Sequence, residues 1–180
     1  MPSVVIIGGP SGTGKSTIAN RLTERFSNNR VCFIEGDELH SVENIQKMSN
    51  NIPLNDEDRW PWLLKISTYA NEQITEGYEL IVVTCSMLKK SYRDFLKEHI
   101  NCNELSLIIL FNDYNTILKH MVARKGHFFK ETMLKSQFDC LELPKDEIDV
   151  SVIQCGSHSP DEIVDDIISV SSLCIFKSNI

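Results

Sequence analysis

Short apolar runs alternate with amphipathic stretches along this chain. Val4-Val5-Ile6-Ile7 and Val31-Cys32-Phe33-Ile34 are continuous apolar segments of strand length, and Leu80 to Cys85 and Leu105 to Phe111 are nearly so, interrupted only by Thr84 and Ser106. Such runs are expected where a strand is buried on both faces of a parallel sheet. Ile148 to Ile153 alternates only partly and reads as a fifth strand, at an edge. Between these runs the apolar period lengthens to that of a helix. Ile18, Ala19, Leu22 and Phe26 predict a helix ending near Ser27-Asn28-Asn29, and Val42, Ile45 and Met48 mark a short one broken at Pro53-Leu54-Asn55. Asn55 or Asp56 then caps a longer helix with acidic residues and Pro61 in its first turn. Its buried side is read as Trp60, Leu63, Leu64, Ala70 and Ile74, and Gly77 ends it. A further helix follows Ser86. Ile117, Leu118, Met121 and Val122 predict the next, and Met133, Leu134, Gln137, Phe138 and Leu141 continue as a helix up to Pro144. Ser159-Pro160-Asp161-Glu162 is a capping box with proline at the first helical position, ahead of Ile163, Val164, Ile167, Ile168 and Val170. Strands alternating with helices imply an α/β protein: a parallel sheet covered on both faces.

Composition narrows this picture. A chain of 180 residues suits one domain, residues 1–180, with 42% apolar and 24% charged residues, ordinary for a soluble globule. No apolar run is long enough to span a bilayer, and no basic segment precedes the first apolar run, so neither a membrane span nor a signal peptide is expected. The six cysteines form no C-x-x-C pair and read as reduced thiols of a cytoplasmic protein, several of them in core strands. The histidines have no metal-ligand spacing. A net charge of −7 argues against broad nucleic-acid binding and makes any local basic cluster more informative.

The first strand leads directly into Gly9-Pro10-Ser11-Gly12-Thr13-Gly14-Lys15-Ser16-Thr17, which fits G-x-x-x-x-G-K-[ST] without a gap and precedes a helix. Glycines let the backbone curl so that several N–H groups face one anion, and the helix start adds its own free N–H groups and dipole. Lys15 reaches phosphate as a mobile point charge, and Ser16 offers a hydroxyl to Mg²⁺, which takes few protein ligands. The segment is read as a nucleoside-triphosphate site.

Three other stretches are candidates to converge on it. Asp37 follows the second strand, where carboxyl ends of strands face the ligand crevice, although a turn aspartate capping the next helix is an equal reading. Asp56, Glu57 and Asp58 read more simply as complements to a helix dipole. Lys89, Lys90 and Arg93 follow the third strand and favour an anion-binding role over a solvated face. No aspartate closes that strand, so a Walker B carboxylate is missing there, and Asp37 is the nearest substitute. Arg124 to Lys130 is basic, hinged at Gly126 and weakly periodic, in keeping with a mobile cover whose Arg124 reaches ATP phosphates, or else with a basic surface turn.

Taken together, these blocks resemble the gluconokinases, small phosphate-loop (P-loop) sugar-acid kinases related more distantly to shikimate and adenylate kinases. The matching residues are Gly9-x-Ser11-Gly12-x-Gly14-Lys15-Ser16-Thr17, Gly36-Asp37-x-Leu39-His40, Asn44-Ile45-x-Lys47-Met48 and Pro53-Leu54-Asn55-Asp56-x-Asp58-Arg59. Further along come Cys85-Ser86-x-Leu88-Lys89-Lys90-x-Tyr92-Arg93-Asp94, Arg124-Lys125-Gly126-His127-Phe128, Ser136-Gln137-Phe138 and Leu141-Glu142-x-Pro144. The last thirty-five residues match only loosely. The resemblance implies a three-layer P-loop NTPase fold, a five-stranded parallel sheet flanked by helices with a helical lid at about 124–143, and in many members a homodimer. It implies transfer of the ATP γ-phosphoryl, with Mg²⁺, to the 6-hydroxyl of D-gluconate, giving 6-phospho-D-gluconate for the pentose phosphate pathway. Carried over, Asp37 would orient the acceptor hydroxyl; His40, Arg59, Lys90 and Arg93 would bind or frame the sugar acid; Arg124 would sit over the phosphates. Catalytic roles would fall to Lys15, Asp37, Arg93 and Arg124, and ATP would lie on residues 9 to 17. Met87 departs from the family's commoner serine or alanine. A kinase of another polyol acid or of a nucleotide, and a non-catalytic nucleotide switch, are the competing classes; the absence of an Asn-Lys-x-Asp run weighs against guanine recognition.

Overall fold

The computed structural model describes residues 2–123, 131–171 and 173. Five strands, β1 (Ser3–Gly8), β2 (Val31–Glu35), β3 (Leu80–Thr84), β4 (Glu104–Phe111) and β5 (Val150–Gln154), form one sheet in the order β2-β3-β1-β4-β5. Every pairing is parallel. The helices are α1 (Lys15–Arg25), α2 (Val42–Ser49), α3 (Asp56–Thr75), α4 (Lys90–His99), α5 (Tyr114–Ala123), α6 (Glu131–Cys140) and α7 (Pro160–Val170). The expected lid segment is described only from Glu131; Arg124 to Lys130 lie outside the described residues.

β1 is the hub, buried along its whole length between β3 and β4. Successive side chains of a strand point to opposite faces. Val5 and Ile7 accordingly join α1 and α7 in one core, and Val4 and Ile6 join α3 and α4 in the other. The phosphate-loop segment leaves the carboxyl end of this central strand, where the order of the sheet reverses and ligands of open α/β sheets bind.

Two sequence expectations need correction. β2 is half-exposed rather than buried: only Ile34 is fully covered, because the strand lies at the sheet edge and has a neighbour on one side alone. On α3 the buried face carries Trp62, Leu63, Ile66, Ser67, Ala70 and Gln73, whereas Leu64 points outward and is 47% exposed. Apolar residues are so dense from Trp60 to Ile66 that several helical faces fit the pattern, and contact with the sheet selects one. Trp60, half-exposed, packs edge-on against Tyr92 of α4 at 5.2 Å. The expected capping box of Ser159 with Glu162 forms, and of the two candidates it is Asn55 that caps α3, in a second capping box with Asp58. The five cysteines among the described residues are free thiols. Among the described residues no helix is long and apolar enough to cross a membrane.

Candidate active site

The phosphate loop is shaped by backbone that only glycine tolerates well. Gly9, Gly12 and Gly14 have φ of 120°, 82° and 93°, and a Cβ on Gly9 would lie 2.2 Å from the Leu110 carbonyl oxygen. Thr13 closes the loop by donating its hydroxyl to the Pro10 carbonyl at 2.9 Å. The Gly9 N–H donates to the Ser86 carbonyl at 3.1 Å, which ties the loop to the residues after β3. The start of α1 contrasts with α3 and α7. It has no side-chain cap and no acid in its first turn, whereas the others carry capping boxes and two or more acids. Its free N–H groups and positive dipole end are left for an external anion, so the loop fits the triphosphate the sequence implies.

Lys15, the first residue of α1, folds back to donate to the carbonyls of Gly9 (3.1 Å) and Pro10 (2.9 Å). Burial pushes its pKa below the ordinary lysine value, against the raising influence of Asp37, Cys85 and Glu35. Its charge is thus costly until an anion joins it. Glu35 was not singled out by sequence. It ends β2, accepts a hydrogen bond from the Thr84 hydroxyl, and Thr84 in turn accepts from the Gly36 N–H at 3.0 Å. A threonine therefore closes β3 where a carboxylate was missed, and β2 supplies the nearby acid instead.

A cavity of about 490 Å³ opens above this loop. The phosphate-loop residues Ser11, Gly12, Gly14, Lys15, Ser16 and Thr17 line it together with Asp37, His40, Arg59 and Ser86. Asp37 sits on a 3-10 turn, Gly36–Leu39, directly after β2. The turn hugs the sheet closely: a Cβ on Gly36 would lie 2.0 Å from the Thr84 carbonyl oxygen. The next helix, α2, is capped by the Ser41 side chain, so Asp37 is not spent as its cap. Asp37 is solvent-exposed within the cavity lining and acts electrostatically on Lys15.

His40 is locked. It stacks on Trp62 with ring centroids 4.2 Å apart, and Trp62 donates its indole N–H to the Gly36 carbonyl at 2.7 Å. The Asn44 amide nitrogen lies 3.0 Å from the Asp58 carbonyl and 3.3 Å from His40 Nδ1. Because a carbonyl can only accept, that nitrogen is a donor, Nδ1 is an acceptor, and the ring proton resides on Nε2. Burial, helped by Arg59 and opposed by Asp37, lowers the His40 pKa to about 4. The ring is a neutral donor at physiological pH. Arg59 donates to the Ser86 hydroxyl at 3.0 Å and lies 5.8 Å from the centre of the Tyr92 ring, leaving most of its guanidinium donors available to the cavity.

Lys90 and Arg93 are not brought to this cavity. Lys90 is exposed on α4 and pairs with Asp94 at 2.6 Å. Arg93 is fully buried and gives a two-pronged pair to Glu147 at 2.5 and 2.9 Å, with a further bond to the Met87 carbonyl at 3.2 Å. Lys89 instead holds Asp56, which also accepts from the Tyr92 hydroxyl. Arg93 thus braces the backbone after β3, including Met87, whose φ is 31°. Breaking a buried pair from one side strands the other charge. Arg93→Met is accordingly expected to lose about 3–5 kcal/mol in urea unfolding, while the acceptor KM of the remaining folded protein stays near normal. Arg93 holds the Glu147 carboxyl below its usual range, so the pair's stabilisation is in place above the ordinary glutamate pKa and is lost as pH falls through the lowered value.

The fold and this cavity define a P-loop kinase of the α/β class. The family model for adenylylsulphate kinase matches residues 1–132. A probable gluconokinase of Saccharomyces cerevisiae is 41% identical over 93% of this chain and 89% of its own length. The thermoresistant gluconokinase of Escherichia coli K12 is 45% identical over 83% of each chain. The crystal structure of a gluconokinase from Sinorhizobium meliloti 1021 superimposes with a TM-score of 0.82 at 35% identity, covering 99% of this chain and 98% of that one. The chain belongs to the gluconokinase family, within the wider group that the adenylylsulphate kinase model describes.

Proposed function

We propose that this chain transfers the γ-phosphoryl of ATP to the 6-hydroxyl of D-gluconate, giving 6-phospho-D-gluconate. The observation that carries the reading is a single cavity lined both by the phosphate loop and by Asp37, His40 and Arg59. One part neutralises phosphate; the other offers a carboxylate, a neutral donor and a cation, the set a polyhydroxy carboxylate needs. Its likeness to named gluconokinases along most of the chain supports the choice of acid. Asp37 aims the acceptor hydroxyl and takes its proton, Arg59 pairs with the acceptor carboxylate, and His40 Nε2–H donates to a hydroxyl.

Mg²⁺ would be held by the Ser16 hydroxyl and by phosphate oxygens, and it would neutralise charge on the transferring group. We place the enzyme in the cytoplasm, as a single domain and a homodimer. An ADP-release assay over a panel of polyol acids tests the function. Release should require D-gluconate and ATP together, and equal release without any acid, or with a nucleoside acceptor only, would overturn the reading.

A further inference from the structure

Gln137 lies on α6 and contributes to the cavity lining. Its amide meets Ser11, the third residue of the phosphate loop, at two points. Gln137 Oε1 accepts the Ser11 backbone N–H at 2.7 Å, and Nε2 donates to Ser11 Oγ at 3.0 Å. The orientation of the amide follows from chemistry, because a backbone N–H can only donate and so must face the oxygen. One N–H of the loop is therefore satisfied by a helix 126 residues away rather than by phosphate.

The residues following α6 are anchored elsewhere. The Glu142 N–H donates to the Leu88 carbonyl at 2.8 Å, and Glu142 Oε2 accepts the Lys90 N–H at 2.7 Å, capping α4 at a start that has no side-chain cap of its own. Leu88 lines the cavity, and Ser86, two residues earlier, holds Arg59. The segment from Gln137 to Glu142 thus spans from the phosphate loop to the backbone that carries the acceptor-side residues. Met133, Ser136 and Cys140 of α6 also line the cavity.

We propose that Gln137 is a positioning residue for phosphoryl transfer, clasping α6 to the phosphate loop through Ser11 and so keeping the phosphate and acceptor sides of the cavity in register. Transfer depends on near in-line approach, and small misplacements are costly. The clasp is neutral and therefore adds no charge beside the phosphates. The inference rests on phosphoryl transfer as the activity and not on gluconate as the acceptor.

The test is Gln137→Met, which keeps length and apolar packing but neither polar atom, alone and combined with Ser11→Ala. Losing the clasp predicts a kcat lowered on the order of 10- to 100-fold, with KM for ATP and acceptor within about threefold and a thermal midpoint lowered by no more than a few degrees. Because both changes break the same contact, the double variant should lose less than the product of the single losses. Amide exchange at Ser11 should quicken about tenfold in Gln137→Met. That readout needs no acceptor, so it judges the clasp even if gluconate proves not to be the substrate. Unchanged Ser11 exchange, unchanged kcat or losses that multiply fully would each overturn the proposal.

Discussion

Lys15→Ala should give a folded protein that binds nucleotide weakly and turns over on the order of 10²–10³-fold more slowly, the scale on which removal of one preorganised charge-stabilising donor acts. The reason lies in how Lys15 is held. Its partly buried ammonium is held against the Gly9 and Pro10 carbonyls, so it is already inside the cradle, where the effective dielectric is lower than in water and its charge acts strongly on an incoming phosphate. Burial also lowers its pKa, so the bare site tolerates the charge rather than being stabilised by it. Removing the side chain should therefore cost little stability. Circular dichroism and a thermal melt would confirm the fold, and a coupled ADP assay would read the rate. Turnover close to wild type would remove the phosphate loop from the mechanism.

Asp37→Asn should lower kcat by about 10²–10⁴-fold, or roughly 3–5 kcal/mol of barrier, with a much smaller change in ATP affinity. An alcohol is a weak nucleophile. A carboxylate at hydrogen-bond distance aims it and accepts its proton as the bond to phosphorus forms. Because the transition state is largely dissociative, aiming outweighs proton removal, and asparagine can aim only in part. The substitution is nearly isosteric at an exposed position, and Ser41 rather than Asp37 caps α2, so the fold should survive. The rival role is to hold Mg²⁺. Titrating the metal separates the two: a variant that regains full kcat at high Mg²⁺ has lost a metal contact, and one that stays slow at every concentration has lost the group that orients the acceptor.

The phosphate loop was legible because all its chemistry is local: fixed glycines, a lysine and a hydroxyl between a strand and a helix. The sheet was legible because strands covered on both faces leave unbroken apolar runs, as in β1 and β3. The same rule misread β2, since an edge strand of a parallel sheet has the same apolar run with one neighbour fewer. Arg93 looked like part of a cationic clamp because it stands near Lys89 and Lys90. Helical spacing carried a contrary signal, for Tyr92, Arg93 and Leu96 share the inner face of α4. Its partner Glu147 lies 54 residues on and leaves no local trace. Gln137 was hidden differently. It is a polar residue within an otherwise apolar helical pattern, and only the fold reveals that Ser11 is opposite it.

The pairing of β1 has a consequence for how activity arises during folding. Ser3 aligns with Leu80 on one side and Glu104 on the other, and neither partner strand of β1 follows it directly in the chain. Every contact that flattens and holds β1 is therefore long-range, which places the chain among slow folders governed by loop-closure entropy. The phosphate-binding motif is complete within the first seventeen residues, yet its curl is moulded by Leu110 behind Gly9 and by Ser86 in front of it. An amino-terminal fragment would carry the motif without the cradle, and a nascent chain acquires its affinity for nucleotide only after β3 and β4 have emerged and docked.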